Sequence, residues 1–555
     1  MTRPTLLTLA LSVVGVVSTA AQHDLPIARI DSVFLDMNRS DRPGCTIGIL
    51  AHGEVAYANG YGMANLEYGI ALQPRSVFHI ASISKQFTAF SVELLVSEGE
   101  VSWDDDIRTY VPEVPQYEHP ITLRHLAHHT SGIRDQWNLL HMAGWRWEAD
   151  LVTQANALDV ISRQKALNFE PGAEHLYSNS GFTLLAVVVE RVSGMTLREF
   201  THERIFVPLG MMSTHFHDDH ETIVPDRAYG YRHITEEGWK ISIPDFAIVG
   251  ASSLFTTVED MAKWDRNLRD RTIGDDALYD RFFDRGMLTN GDTLTYAHGI
   301  TVSDYRGQNA IGHGGADAGY RSNYMRFPDQ DLGIVSFCNF ARANPSMYTR
   351  QVADILLEDV LEPHEERESE SAPEIDTARW QETFEAARGF YRHPLTDIPV
   401  HVWVHEGNAR ATQGFGRGAS GLLMIPEGDD HYTLWPANES ITVEMQDGHP
   451  EAILSDDERY TYIGPAATNV DPDDYAGLYW SEELGTEYRV ERDTAIAGGI
   501  ALVHRTQDTD RFRPAFRDGF WSGGDWLTFA REDGGRVTGF TWSSGRVRKV
   551  SFSRR

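Results

Sequence analysis

Three short segments carry side chains whose types and spacing could do covalent chemistry. Ser82-Ile83-Ser84-Lys85 sets a hydroxyl and an amine three residues apart, a spacing that puts both on one face of a helix. A serine hydroxyl attacks poorly until a base takes its proton, and a lysine whose pKa is lowered by partial burial can offer a neutral amine for that purpose. If the helix begins near Ser82, its positive end also favours an alkoxide there. Lysine occurs only at Lys85, Lys165, Lys240, Lys263 and Lys549, so its presence at this spacing carries weight.

Tyr177-Ser178-Asn179 follows the turn Glu170-Pro171-Gly172. A phenol beside a cationic lysine is easier to deprotonate and could pass protons between nucleophile and leaving group. The Asn179 amide could orient either the substrate carbonyl or the lysine. His313-Gly314-Gly315-Ala316 precedes a strand pattern. Glycines without side chains would let a substrate backbone lie against it, and the N–H groups of Ser82 and Ala316 could form an oxyanion hole. Each segment alone has a plain structural reading: a helix start, a half-buried tyrosine with an Asn cap, a turn.

A fourth segment, His215-Phe216-His217-Asp218-Asp219-His220, matches the His-x-His-x-Asp-His pattern of zinc hydrolases. That pattern normally follows a buried strand, whereas here it follows Pro208-Leu209-Gly210-Met211, a helix exit. No metal or other cofactor is expected.

The elements that must position these groups alternate between strand and helix over residues 25–361. Cys45 to Leu50 and Val55 to Tyr61 read as a hairpin around His52 and Gly53. A helix from near Ser82 carries Phe87, Phe90, Leu94 and Leu95 on one face and stops at Gly99. Further helices are expected from Phe182 to Val192, ending at Gly194, and from Leu197 to Phe206 before Pro208. Gly319 to Phe327 and Gly333 to Phe337 read as strands. Residues 362–376 form an acidic, Pro-containing linker. Beyond it come short alternating strands in a weak repeat, one unit over 377–465 opening at Gly389-Phe390-Tyr391 and one over 470–555 opening at Gly477-Leu478-Tyr479. Each is long enough for a small antiparallel barrel or sandwich.

The chain has 555 residues, 41% hydrophobic and 23% charged, the makeup of a multidomain globular protein. Its 81 acidic and 49 basic residues give a net charge of -32. With no basic cluster, nucleic acid is not expected as a partner. Such acidity reads as a solvated surface, with salt adaptation or steering of cationic substrates as the other readings. Residues 1–21, with Arg3, an apolar run from Leu6 to Val17 and small residues to Ala21, read as an export signal. A periplasmic or secreted protein without a membrane anchor follows, its oligomeric state left open. Cys45 and Cys338 lie in apolar runs; two buried free thiols are the default reading, one disulfide the alternative.

Together, Ser82-x-x-Lys85, Tyr177-x-Asn179 and His313-x-Gly315 resemble the serine β-lactamase and penicillin-recognising family. The likeness is greatest to the branch of class C β-lactamases, D-alanyl-D-alanine carboxypeptidases, D-aminopeptidases and esterases, and Ile121 to Ile133, Phe169 to Gly172, Phe206 to Met211 and Leu254 to Trp264 extend it over about residues 28–358. The resemblance implies an α/β (α+β) fold, an antiparallel sheet flanked by helices beside a helical lobe, followed by the two β units. It also implies a serine hydrolase that forms an acyl-enzyme on Ser82, with Lys85 and Tyr177 sharing the base role and Asn179, His313, Gly314, Gly315 and Ala316 binding substrate. The family's sheet order would bring the start of the Cys45 strand beside the end of the Cys338 strand.

Many members carry Lys-Thr-Gly where this chain has His313-Gly314-Gly315, and an imidazole grips a carboxylate less than an ammonium does. The expected substrates are therefore D-amino-acid peptides and amides or small esters. β-Lactams and D-alanyl-D-alanine peptides are the alternative, and a non-catalytic peptidoglycan-fragment binder or a zinc hydrolase through His215, His217 and His220 are the readings of another class. Gly132 to Trp137 (GIRDQW) and the paired β units are similar to D-aminopeptidases, in which a loop of the last barrel enters the cleft and helps select a free amino terminus. Thr506 to Arg513, with Asp508 and Asp510, is the candidate for that loop, a surface turn being the plainer reading. Trp137, Trp145 and Trp147 are candidates to line the acyl pocket, or else pack their insertion onto the helical lobe.

Overall fold

Cys45–Ala51 and Glu54–Tyr61 pair antiparallel around His52 and Gly53, whose φ values of 55° and 74° give the backbone a tight hairpin between twisted strands requires. In this computed structural model, residues 25–146, 149–363, 375–393, 399–405, 407–413, 421–428, 430–435, 437, 439–455, 458–467, 469–507 and 509–555 are described. The expected export signal and most of the expected linker lie outside them, as do Trp147 and Asp508.

The hairpin joins Leu332–Cys338, Tyr320–Phe327, Gln308–Asp317 and Thr301–Tyr305 in a six-stranded antiparallel sheet, with Thr301–Tyr305 and Glu54–Tyr61 at its edges. The central strands read as continuous apolar runs because helices cover both faces. Ile47, Ile49 and Ile334 pack under the helix Pro345–Leu356; Leu50, Val335 and Phe337 face Val258–Asp270 and the helical lobe. A Cβ on Gly48 would lie 2.2 Å from a Val258 methyl, so that helix can approach only because the strand has no side chain there.

Cys45 is opposite Cys338 in the register, and the two sulfurs are bonded at 2.02 Å. This corrects the free-thiol reading: both runs are apolar, but their ends meet across neighbouring strands, within disulfide reach.

The Ser82 segment is a 3-10 turn, Ala81–Ile83, leading into the helix Ser84–Ser97, so the helix proper starts two residues later than the motif. The second lobe helix is Asn179–Ser193, stopped by Gly194 at φ 71°. The third differs from expectation. Leu197–Thr201 continues through a π turn, His202–Phe206, into Val207–Leu209. Pro208 is accommodated directly after the π turn, where the regular i→i−4 ladder is already interrupted.

The two C-terminal units are each a closed eight-stranded barrel, one from Gly389–Arg392 to Glu458–Gly464 and one from Gly477–Ser481 to Val547–Arg554. The repeat has a structural basis: Tyr391 OH donates to Ala387 O at 2.6 Å and Tyr479 OH to Tyr475 O at 2.7 Å, pinning the first strand of each barrel four residues back. Among the described residues no single helix is long and apolar enough to cross a membrane.

Candidate active site

Ser82 lies in a turn the fold holds tightly. The residue before it, Ala81, has φ 48°, an unfavourable conformation for a residue with a Cβ. Its N–H donates to His79 Nδ1 at 3.2 Å and its carbonyl accepts from Ser84 Oγ at 2.5 Å. Strand Gln308–Asp317 presses on the turn from one side: a Cβ on Gly315 would lie 2.4 Å from Ile80 O and 2.3 Å from Ser322 Oγ. Gly315 is thus required for packing against the nucleophile turn. Gly314 has its nearest such neighbour at 3.6 Å and lines the open cleft, as do His313 and Ala316.

The register explains why this strand offers an edge. Thr301–Tyr305 pairs with residues 308 to 312 only, its last partner being Gly312. From His313 to Asp317 the strand is paired on the Tyr320–Phe327 side and, among the described residues, has no strand on the other, leaving backbone groups available to a bound chain.

Lys85 is fully buried. Its Nζ lies 3.1 Å from Ser82 Oγ, 2.9 Å from Asn179 Oδ1 and 2.6 Å from the carbonyl of Ala251. A neutral amine has two N–H donors and one lone pair, so the two fixed acceptors leave the lone pair facing the Ser82 hydroxyl. Burial pushes the amine well below its ordinary pKa, offset in part by Asp135 and reinforced by Arg546. Asn179 is the first residue of its helix rather than the cap, which is Ser178. Its backbone N–H and its Nδ2 both donate to Asp135 Oδ2, at 2.7 and 2.8 Å, so its oxygen is turned to Lys85. Of the two roles open to Asn179, orienting the lysine is the one these contacts describe.

Tyr177 is beside this group: Lys85 Nζ and the Arg546 guanidinium each stand 4.8 Å from its ring centroid. Its hydroxyl is buried beside Ser82, which meets it outside ordinary hydrogen-bond geometry. The phenol is not eased toward ionisation as expected. Burial dominates and raises its pKa, the Ser82 hydroxyl and Arg546 offsetting this only partly. The turn before it is fixed by His129, whose ring lies 4.1 Å from that of Tyr177 and whose Nδ1 accepts the Ser178 N–H.

His313 has both nitrogens engaged, Nε2 with Tyr296 OH at 2.9 Å and Nδ1 with Gly314 O at 2.5 Å. Since a carbonyl only accepts, Nδ1 carries the proton and Nε2 accepts from the tyrosine. Burial, with the nearby Lys85, lowers its pKa to about 4, so it is neutral at physiological pH.

Ser82, Tyr177, Asn179, His313, Gly314, Gly315 and Ala316 line one cleft of about 1060 Å³, and Lys85, buried, is bonded to two of them, Ser82 and Asn179. The histidine segment does not form a rival centre. His215 Nε2 and His217 Nδ1 face each other at 3.3 Å, but among the described residues no three His, Cys, Asp or Glu side chains are grouped to hold a metal.

The loop from the last barrel is another than expected. Thr506 donates to Gly144 O at 2.9 Å, and Gln507 Nε2 to the carbonyls of His141 and Trp145 at 2.9 and 2.8 Å. That segment therefore clamps the tryptophan insertion onto the barrel. The cleft is instead reached by the Gly545-Arg546 turn, and Arg546 lines it. Of the tryptophans, Trp137 lines the cleft against Phe246, ring centroids 4.9 Å apart.

Sequence reasoning missed Asp135, Tyr296 and Arg546 as members of the site. Asp135 lay inside the noted GIRDQW stretch, but nothing local reveals that it faces Asn179. Tyr296 and Arg546 have no neighbouring motif.

The Beta-lactamase family description matches residues 30–357. A D-aminopeptidase of Gluconobacter oxydans is 29% identical over 469 residues, covering 82% of this chain and 82% of the relative. A D-aminopeptidase of Brucella anthropi is 26% identical over 526 residues, covering 92% and 95%. In fold, the octameric penicillin-binding protein homologue from Pyrococcus abyssi is similar at a TM-score of 0.55 and 21% identity, over 87% of this chain and 99% of that one.

Proposed function

Because the chain belongs to the Beta-lactamase family, matched over residues 30–357, and is a serine hydrolase, we propose that it cleaves amides and short peptides of D-amino acids through an acyl-enzyme on Ser82. The observation that carries the mechanism is the Lys85 amine, anchored by Asn179 Oδ1 and Ala251 O, with its third contact on Ser82 Oγ at 3.1 Å. The D-amino-acid substrate class is supported by two D-aminopeptidase relatives aligned over 82% and 92% of the chain.

Ser82 Oγ adds to the scissile carbonyl carbon while neutral Lys85 takes its proton. The negative oxygen faces the N–H groups of Ser82 and Ala316. Tyr177 remains a neutral phenol. Its hydroxyl, beside Ser82 in the free enzyme, hands its proton to the leaving nitrogen as it receives one from the lysine. The amine departs, and water, activated by the same pair, releases the acid.

Neutral His313 offers no positive charge for a substrate carboxylate, which favours amides and amino-terminal cleavage over β-lactams. The Cys45–Cys338 bond, with the expected signal at residues 1–21, supports an oxidising compartment outside the cytoplasm.

The test is a panel of D- and L-amino-acid amides, small esters and a chromogenic cephalosporin, run with active-site labelling by a fluorophosphonate. D-Amides are expected to turn over fastest, and Ser82→Ala to lose the label and activity by roughly a thousandfold or more. Retained turnover in Ser82→Ala overturns the mechanism; preference for the cephalosporin overturns the substrate class.

A further inference from the structure

At the far end of the same strand from His313, the cleft holds an acidic side chain that the mechanism above does not use. His313, Gly315 and Asp317 share one face of Gln308–Asp317, since side chains alternate along a strand. The nucleophile turn packs on Gly315 between them. Asp317 lines the cleft with Ser82, and Oδ2 accepts from Ser252 Oγ at 2.9 Å. Ser252 follows Ala251, whose carbonyl holds Lys85, so adjacent residues of one segment position the amine and the carboxylate.

The charge of Asp317 is not met from within. Among the described residues its ion-pair partner is His79, with Nε2 at 3.9 Å, and burial lowers the pKa of that imidazole to about 3, leaving it uncharged. Arg321 acts on Asp317 through its field, but its guanidinium is hydrogen-bonded to the carbonyls of Ala318 and Tyr320. Arg546 is 3.9 Å from Asp135, on the Tyr177 side. A carboxylate in a cleft with a hydroxyl, a neutral imidazole and no bonded cation is poised for a cation from outside.

We propose that Asp317 is the anchor for the α-ammonium group of the substrate, making the cleft selective for a free amino terminus. This deepens the D-aminopeptidase reading and rests on it. With the acyl oxygen at Ala316 N–H, the next residue along the strand is Asp317. An α-nitrogen lies roughly 2.5 Å from the acyl carbon and an ammonium–carboxylate bond spans about 2.8 Å, a reach that matches one or two strand residues at about 3.3 Å each. At the other end His313 is neutral, and the cation that lines the cleft on the Tyr177 side is Arg546. Toward the acyl group the cleft presents the Asp317 carboxylate. Net charge of -32 draws cationic substrates to it. Burial raises the Asp317 pKa to about 6, with Ser252, Arg321 and Lys85 opposing, so the carboxylate is ionised at pH 7.5 and protonated at pH 5.

Two readouts separate this inference from the function it builds on. The first is hydrolysis of p-nitrophenyl propionate, an ester with no amino group, inhibited by D-alaninamide or, as control, propionamide. D-Alaninamide is expected to inhibit competitively at pH 7.5, less at pH 5, and at least tenfold more weakly in Asp317→Asn, each inhibition constant being read against that protein's own uninhibited ester rate. Propionamide should inhibit neither protein. The second is cleavage of D-alaninamide itself, for which Asp317→Asn should raise KM tenfold or more with a smaller change in kcat. If D-alaninamide inhibits through Asp317 but is never cleaved, the ammonium site stands and the D-aminopeptidase reading falls. Equal inhibition of both proteins, or parallel loss of ester and amide turnover in the variant, overturns the ammonium site.

Discussion

The two C-terminal barrels share strand number, closure and the tyrosine that pins each first strand, yet they stand in different relation to the chemistry. The second is fused to the catalytic domain. Arg134 is buried at the junction, bonded to Glu483 at 2.9 Å, to Arg548 O at 2.7 Å and to Gln164 at 3.0 Å. Arg548 in turn pairs with Glu174, and Asn168 bonds the backbone of both Arg546 and Arg548. Beside Arg134 in the chain, Asp135 holds Asn179 and so Lys85. One dipeptide thereby ties the barrel to the base. The first barrel's described outward contacts run to the second barrel, through Phe390 packed with Ala515, Phe516 and Trp526. The same architecture serves once as a wall of the active site and once as an appendage, and the difference lies in a few side chains at the seams.

The largest test of this contrast is Arg134→Met. Arg134 and Glu483 are 2% and 7% exposed, so removing one partner strands a buried charge, at about 3–5 kcal/mol. Chemical denaturation should show that loss, and activity should fall with it as the Gly545-Arg546 turn and Asp135 lose register. Adding Glu483→Leu should restore part of the stability. Unchanged stability in Arg134→Met would leave the second barrel as loosely attached as the first.

Next in size is Phe390→Ala, which empties the packing between the barrels and should cost about 3 kcal/mol in the same denaturation experiment. Hydrolysis of a D-amino-acid amide should nonetheless keep its kcat/KM within twofold. A tenfold fall would make the first barrel part of the catalytic unit.

The smallest expected effect is the most specific. Arg546 helps hold Lys85 below its ordinary pKa, and the neutral amine is the active form. kcat/KM therefore rises with pH as Lys85 loses its proton, and Arg546→Gln, by letting that pKa rise, should move the acid limb to higher pH. With Arg546 44% exposed, solvent screening holds the shift to about half a pH unit. A pH–rate profile with an unmoved limb would confine Arg546 to shaping the cleft.

Much of this was legible beforehand wherever the signal is local. The Ser82–Lys85 spacing, the His52-Gly53 hairpin, the Gly194 stop and the Gly-x-Tyr opening of each barrel depend on residues within a turn or two of one another. Cys45 and Cys338 could be paired only through a likeness in sheet order, because nothing local to either says which strand lies beside it. The entering loop was misplaced, from Thr506–Arg513 to Arg546, since every hairpin of a barrel has similar turn residues and only docking decides which one faces the cleft.

From its own residues the chain determined which groups could react: a hydroxyl and an amine at helical spacing, a phenol and an imidazole. The tertiary structure decided their states. Burial lowers the pKa of Lys85, raises that of Tyr177 and leaves His313 uncharged, and packing sets the Ser252 hydroxyl on the Asp317 carboxylate. Burial and field are sums over atoms brought from distant parts of the chain, Asn179 from 94 residues beyond Lys85 and Ala251 from 166 beyond, and no window of sequence contains such a sum.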